Sequence, residues 1–266
     1  MSPWLARLPL MVLALVVLAV VLVDGVVGAV LPWVAVCGLM IFLYARALQA
    51  RKLEQAAGRL EDMMVGRRHA EALRAAWRLL PKAALYGSLH LRCVATMGHC
   101  LDHLKAYEAA LACYERLLGQ IPEDHSAALE IQTKRALAAL AADRLIDADD
   151  ALRRLRGRVA ASGRSPISAG YRLARLAQSV CTHHYDDAVA EADAMLDDLR
   201  PLGLEAGYGH ALLALCYRKA PAADEQLRIA YEQACALWWH RARVLLPTSA
   251  LVDRFPAVRC LVEAGA

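Results

Sequence analysis

The sequence predicts an all-α protein, in which an N-terminal transmembrane helical hairpin is followed by an α-solenoid of stacked helical hairpins. Residues 8–44 are almost entirely apolar and contain a single charge, Asp24. After Tyr44 the chain is rich in Ala, Leu and Arg and has no long Val or Ile run, which favours helices over strands. A helical pattern with a small residue near its centre then recurs along the chain, as in stacked hairpins.

The apolar stretch 8–44 is too long for one membrane crossing. About 20 apolar helical residues span the hydrocarbon core, whereas a straight helix of this length would measure roughly 55 Å. Two crossings, at about 8–23 and 26–44, fit the core better, with Asp24 and Gly25 forming the turn between them. Residues 1–45 are therefore predicted to form a transmembrane hairpin.

The charges that flank the two crossings predict an orientation. Arg7 precedes the first crossing, and Arg46, Arg51 and Lys52 follow the second, while the turn carries only Asp24. Because basic residues favour the cytoplasmic side, both termini and the repeat domain are predicted to be cytoplasmic, with the hairpin in a bacterial inner (cytoplasmic) membrane.

A cleaved signal peptide is the alternative interpretation of the N-terminus. Arg7 followed by an apolar run is typical of such a peptide, and residues 27–29 could serve as its cleavage site. The segment 30–44 would then stop transfer, and the rest of the chain would lie on the same side as in the hairpin. The sequence leaves open whether the first apolar segment is cleaved.

The clearest repeat covers residues 91–124. A small residue in each of its two helices, Gly98 and Ala110, would allow the helices to pack closely. Pro122 ends the second helix, because proline cannot continue the hydrogen-bond ladder. The aromatic residues that flank Ala110 at helical spacing are Tyr107 and Tyr114.

Three weaker copies follow, at 129–162, 169–202 and about 205–243. In the first of these, Leu145 and Ala148 begin the second helix. In the next copy, Tyr185 and Ala188 stand at the same offsets.

This pattern resembles the tetratricopeptide repeat, and residues 91–124 carry that family's Gly, Ala, aromatic and Pro at the expected offsets. The resemblance covers roughly residues 50–243, and a plain helical bundle with Ala-rich heptads is the alternative fold. The predicted domains are the transmembrane hairpin at 1–45, a degenerate helical hairpin at 46–90, the repeats at 91–243 and a C-terminal cap at 244–266.

The resemblance implies a concave groove that binds a segment of a protein partner. By position in the repeat, the groove residues would be Arg92, Ala95, His99, Asp102 and His103. Ala95 and His99 stand where one subclass of the family places a Lys/Asn clamp for a C-terminal carboxylate, which argues against that ligand. The sequence does not decide whether the groove is open or filled by the chain itself.

His99 and His103 are separated by four residues on one helix face, a spacing that can bind zinc. A third ligand is not apparent, and the chain has no nucleophile elbow, P-loop or dinucleotide fingerprint. The eight cysteines form no C-x-x-C pair and suit buried positions in a reducing compartment. We therefore predict no enzyme activity, no cofactor and no metal.

Three further features are a pair of adjacent histidines, a glycine-rich stretch and a pair of adjacent tryptophans. His183 and His184 are predicted to be turn residues, and Gly207 to lie at a helix start. Trp238 and Trp239 are adjacent and cannot both face one core. We expect a capping helix that partly buries both, and the alternative is that one is exposed and contacts a partner or the membrane surface.

The sequence favours a membrane-anchored scaffold that binds a protein partner, itself associated with the membrane. One alternative is a structural subunit of a multi-subunit membrane complex, and another is a metal protein or enzyme that uses His99 and His103. The net charge of +4 is too small and too dispersed to indicate nucleic-acid binding.

Overall fold

A computed structural model describes residues 26–123, 125–159 and 165–264 of the chain. These residues form helices and turns without any strand, which confirms the predicted all-α class. The helices are α1 (Val26–Val65), α2 (His69–Ala83), α3 (Gly87–His103), α4 (Tyr107–Leu118), α5 (Ser126–Ala141), α6 (Leu145–Val159), α7 (Pro166–Cys181), α8 (Tyr185–Ala190), α9 (Ala192–Leu199), α10 (Ala206–Lys219), α11 (Glu225–Leu245), α12 (Thr248–Arg254) and α13 (Arg259–Glu263).

The chain divides into two compact units, Met1–Cys100 and Leu101–Ala266. The division falls within α3. The C-terminal unit contains three complete helical hairpins, formed by α5 with α6, by α7 with α8 and α9, and by α10 with α11.

Helix α1 begins within the second predicted crossing and continues for 40 residues. Among the described residues, one segment, Trp33–Val65, is long and apolar enough to cross a membrane. Most of the large apolar side chains in its first part, 33–44, are exposed, with Trp33 72% and Ile41 69% exposed. The first predicted crossing, 8–23, lies outside the described residues, so the structure shows one candidate membrane helix rather than a two-helix hairpin.

The C-terminal half of α1 forms a hairpin with α2. Leu53, Ala57 and Leu60 recur at helical spacing on one face of α1 and are buried, and α2 packs along this region. The buried face of α2 consists mainly of small residues, Ala72, Ala76 and Ala83, with Leu79. Small side chains let the two helices approach closely, so a short apolar stripe is enough to join them.

The turns of the first four hairpins share one backbone geometry. Each contains a non-glycine residue with a positive φ, two positions before the second helix begins. These residues are Arg67 (55°), Lys105 (63°), Asp143 (60°) and His183 (61°). The steps between them are 38, 38 and 40 residues, so the structural period is longer than the 34 residues of the tetratricopeptide repeat.

The hydrogen bonds in these turns form Schellman motifs. In the second turn, the N–H of Lys105 donates to the carbonyl of Asp102 (3.1 Å), and the N–H of Ala106 donates to that of Leu101 (2.9 Å). The equivalent pair of bonds is present in the other three turns. Five residues beyond each positive-φ position stands a buried alanine, and the four alanines are Ala72, Ala110, Ala148 and Ala188.

The helices of the C-terminal unit pack in serial order. Helix α5 contacts α4, α6 and α7, and α7 in turn contacts α6 and α10. The first helices of adjacent hairpins therefore lie side by side. At one such crossing, a methyl group added to Gly170 of α7 would come 3.0 Å from Thr133 Cγ2 of α5.

Two glycines in α10 allow neighbouring segments to approach. A methyl group on Gly207 would come 3.1 Å from Leu245 and Leu246, and one on Gly209 would overlap the Cδ1 atom of Leu199. Leu199 is fully buried, so a shift of its side chain would have to displace neighbouring core atoms. The Gly207-Tyr208-Gly209 sequence thus serves helix packing.

Replacement of Gly209 by alanine should lower the free energy of unfolding by about 1–3 kcal/mol, because the added methyl group overpacks the site. Urea denaturation of the detergent-solubilised chain, followed by far-UV circular dichroism, would measure the loss. The matched control is Gly157→Ala at an exposed position in the last turn of α6, where no atom lies within 4 Å of the added methyl group. That variant should gain about 0.5–1 kcal/mol, and equal losses in both variants would contradict the packing argument.

Candidate partner-binding site

Three of the predicted groove residues, Arg92, Ala95 and His99, lie in the N-terminal unit. Arg92 is exposed, and its guanidinium donates to Glu61 Oε1 of α1 at 2.6 Å. Ala95 and His99 are half-buried. The His99 ring meets the ring of His69 edge to face, with centroids 5.9 Å apart. These side chains form a mixed surface of one cation, one methyl group and two imidazoles.

His69 adds a titratable group to this surface. Burial, and then the charge of Arg67, lower the pKa of His69. The imidazole is therefore mostly neutral near pH 7 and can act as a donor on one nitrogen and an acceptor on the other.

The other two predicted groove residues, Asp102 and His103, lie at the end of α3 in the C-terminal unit. His103 is half-buried, but Asp102 is buried. The Asp102 Oδ1 atom accepts a hydrogen bond from Nη1 of Arg254 at 2.8 Å. Asp102 is therefore not an open groove residue, because its carboxylate is occupied by the chain's own C-terminal segment.

The C-terminal segment, 246–263, is firmly packed within the C-terminal unit. Its aliphatic side chains Leu246, Leu251, Val258 and Leu261 are buried. Phe255 meets Tyr208 of α10 edge to face, with ring centroids 5.9 Å apart. This segment thus links the end of α3 to α10, and it covers the surface around Asp102.

Two ion pairs of different burial join this segment to the second turn. The Asp102–Arg254 pair is almost fully enclosed, with side chains 7% and 12% exposed, whereas the Lys105–Asp253 pair, at 3.0 Å, is 53% and 68% exposed. Burial lowers the pKa of Arg254, but the charge of Asp102 and its hydrogen bond more than offset this and leave the pKa raised. Arg254 therefore stays charged and depends on Asp102.

Replacement of Asp102 by alanine should cost about 3–5 kcal/mol of unfolding free energy, because a buried cation would lose its partner. The matched control, Lys105→Ala, should cost at most about 1 kcal/mol, because that pair is exposed. Urea denaturation at pH 7 measures both. A similar, small cost for the two variants would show that the enclosed pair does not fasten the segment.

Both adjacent tryptophans of α11 are buried, Trp238 at 6% and Trp239 at 1% exposure, more deeply than the partial burial predicted for both. The alternative, in which one of them is exposed, is wrong. Trp238 lies against His210 of α10, with ring centroids 5.1 Å apart, and the guanidinium of Arg241 lies 4.9 Å from the Trp238 centroid. The long helix α11 is covered on more than one side, so adjacent residues can both be buried.

His210 is a buried polar residue that the sequence analysis missed. It is 6% exposed, and neither ring nitrogen has a hydrogen-bond partner among the described residues. Burial, and then the charge of Arg241, lower the pKa of His210 to about 4. The only signal in the sequence is a histidine within an otherwise apolar stretch of α10.

The free energy of unfolding should fall as the pH is lowered from 6.5, the ordinary histidine pKa, to about 4, the pKa of His210 in the folded protein. In this window the unfolded chain binds a proton that the folded His210 does not, so unfolding is favoured. The loss should approach roughly 3 kcal/mol at pH 4, from about 1.4 kcal/mol per pKa unit.

The variant His210→Leu isolates this effect. The difference in unfolding free energy between the variant and the parent should widen as the pH falls from 7 to 4, because leucine binds no proton in either state. Urea titrations at pH 7, 5.5 and 4 give the difference. A constant difference across this range would exclude His210 as the source of the pH dependence.

A polar cavity of about 280 Å³ lies between α4, α5 and α6. Gln132 lines it, is 9% exposed and has no hydrogen-bond partner for Oε1 among the described residues. Arg135 also lines it and pairs with Glu115 at 3.4 Å. The cavity could take a small polar group.

The described residues contain no cluster of three or more His, Cys, Asp or Glu that could hold a metal ion. His183 and His184 lie in a turn, where their Nδ1 atoms are 2.7 Å from the Tyr185 hydroxyl and 2.8 Å from the Thr182 hydroxyl. All eight cysteines are free thiols. Burial raises the pKa of Cys216 to about 12, which keeps this thiol protonated and unreactive.

Comparisons with protein-family models, with curated proteins and with solved structures each found no match to this chain.

Proposed function

We propose that this protein is a membrane-anchored helical scaffold that binds a protein partner through the cytoplasmic part of its chain. The observation that carries the proposal is the continuity of α1, which runs without a break from a bare apolar surface into the first hairpin. A helix with exposed Trp33, Ile41 and Phe42 needs an apolar environment. A bilayer supplies one, and the basic residues that follow Tyr44 support a cytoplasmic location for the hairpins at an inner membrane.

The scaffold part of the proposal is a solenoid of tetratricopeptide-like hairpins. The repeated Schellman turns and the buried alanine five residues beyond each positive-φ residue support it. Side-by-side packing of α5 with α7 and of α7 with α10 is the contact pattern that a solenoid needs. The period of 38 to 40 residues departs from the family's 34 and points to a divergent repeat.

For the partner site, the surface of α3 around Arg92, Ala95 and His99 is favoured. These side chains are exposed or half-buried and offer a cation, an apolar spot and an imidazole within two helical turns. Asp102 no longer belongs to this surface, since it pairs with Arg254.

A structural subunit of a membrane complex is the second candidate. The enclosed Asp102–Arg254 pair and the buried aliphatic residues of the C-terminal segment make the C-terminal unit a fixed body, as a brace requires. Purification in mild detergent separates the two candidates. A subunit would retain its neighbours in fixed ratio, whereas an adaptor would retain soluble proteins at low ratio.

The double variant Arg92→Ala/His99→Ala should reduce the amount of co-purified partner at least about fivefold, because residues at the centre of an interface each contribute roughly 1–2 kcal/mol. Quantitative mass spectrometry of material purified from the native host measures the ratio of partner to protein. The control is Arg74→Ala on the exposed face of α2 in the same unit, which should leave the ratio unchanged.

Three outcomes would contradict the proposal in different ways. Undiminished binding of the partner by the double variant would show that the partner site is not on the α3 surface. Release of the protein from membranes by alkaline carbonate would show that α1 does not anchor it in the bilayer. Zinc that co-purifies and is lost in His99→Ala would favour the metal-protein alternative over the scaffold.

A further inference from the structure

The first hairpin carries its positive charge unevenly along its length. Its membrane-side half, residues 45–56 of α1 with 77–83 of α2, contains five basic residues and one acidic residue. Its distal half, residues 57–76, contains four basic and three acidic residues. The basic residues of the membrane-side half are Arg46, Arg51, Lys52, Arg78 and Lys82.

The fold brings the α2 members of this set back toward the membrane. Helix α2 follows a three-residue turn and packs along α1, so the two helices are antiparallel. Residues equally far from the positive-φ residue Arg67 therefore lie at about the same level. Lys82 and Lys52 are both fifteen positions from Arg67 in sequence, which sets them opposite each other.

The cations of the membrane-side half are not neutralised by any residue that the structure describes. Among the described residues, none of the five forms an ion pair, and Lys52 and Lys82 are exposed. In the distal half, by contrast, Arg68 pairs with Glu71, and Glu61 accepts from Arg92. Leu85, three positions beyond Lys82, is 62% exposed and adds an apolar contact at the same end.

The level of these charges matches the lipid headgroup layer. Lys52 and Lys82 stand about 12 Å beyond Tyr44 at 1.5 Å per residue, and the headgroup layer extends roughly 5–8 Å beyond the hydrocarbon. Lysine side chains can cover the remaining distance, because their ammonium groups reach toward the interface. Arg46 and Arg51 lie closer still.

We infer that the membrane-side half of the first hairpin is a binding surface for anionic lipid headgroups. This rests on the proposed membrane anchor, since only a crossing that ends near Tyr44 brings the surface to the headgroups. Cations from both helices contact the phosphates together, and α1 and α2 are thereby held upright on the bilayer.

The test uses the full chain in nanodiscs that contain phosphatidylglycerol and phosphatidylcholine in equal amounts. After gentle extraction into detergent, mass spectrometry quantifies the lipids that remain bound. Phosphatidylglycerol should be enriched, and the variant Lys52→Gln/Lys82→Gln should lower the enrichment about fivefold or more, since each cation near an anionic surface contributes about that factor. Added salt should weaken the enrichment in the parent protein.

The control is Arg59→Gln/Arg74→Gln, which removes one exposed cation from each helix in the distal half. It should stay within about twofold of the parent, because its charges lie more than a Debye length from the headgroups. Equal enrichment of the two lipids, or equal losses in both variants, would overturn the inference.

Two further outcomes separate this inference from the proposed function. If the protein resists alkaline carbonate but shows no lipid preference, the proposed anchor stands and the inferred headgroup-binding surface is wrong. Loss of a co-purified acidic protein in Lys52→Gln/Lys82→Gln, with bound lipid unchanged, would show that the surface binds protein instead and would also overturn the inference.

Discussion

Four helix-to-helix turns, each with a non-glycine residue in the left-handed conformation, set the spacing on which the hairpins depend. Such a residue costs about 1–2 kcal/mol, and the Schellman hydrogen bonds offset that cost by satisfying carbonyls at the helix end. The turn fixes where the second helix begins. The buried alanine five residues beyond it, such as Ala110 or Ala148, then lies at the crossing, where a larger side chain would separate the helices.

The C-terminal segment closes the C-terminal unit by combining apolar burial with one enclosed ion pair. Leu251, Val258 and Leu261 supply the non-directional part of this contact. The Asp102–Arg254 pair supplies the directional part, because an enclosed guanidinium needs a carboxylate at a defined position. The C-terminal segment is therefore more than a cap, because it covers the surface around Asp102 that a partner could otherwise use.

Helix α1 carries two different surfaces along its length. Its first part exposes large apolar side chains, and its second part buries Leu53, Ala57 and Leu60 in the first hairpin. Because one continuous helix carries both surfaces, the candidate membrane segment and the hairpin share one axis. The proposed roles of the α3 surface and of the basic membrane-side half both follow from this connection.

By itself the sequence determined the all-α class, the candidate membrane helix and the positions of the hairpins, because these depend on local composition and on helical spacing. It did not show that Asp102 pairs with Arg254, that Trp238 and Trp239 are both buried, or that Lys82 lies level with Lys52. Each of these depends on residues far apart in the chain, and only the tertiary structure decides which of them meet. The groove was predicted from the residues of one helix alone. Arg254, the partner of Asp102, lies 152 residues further along the chain, so that helix could not reveal the pair.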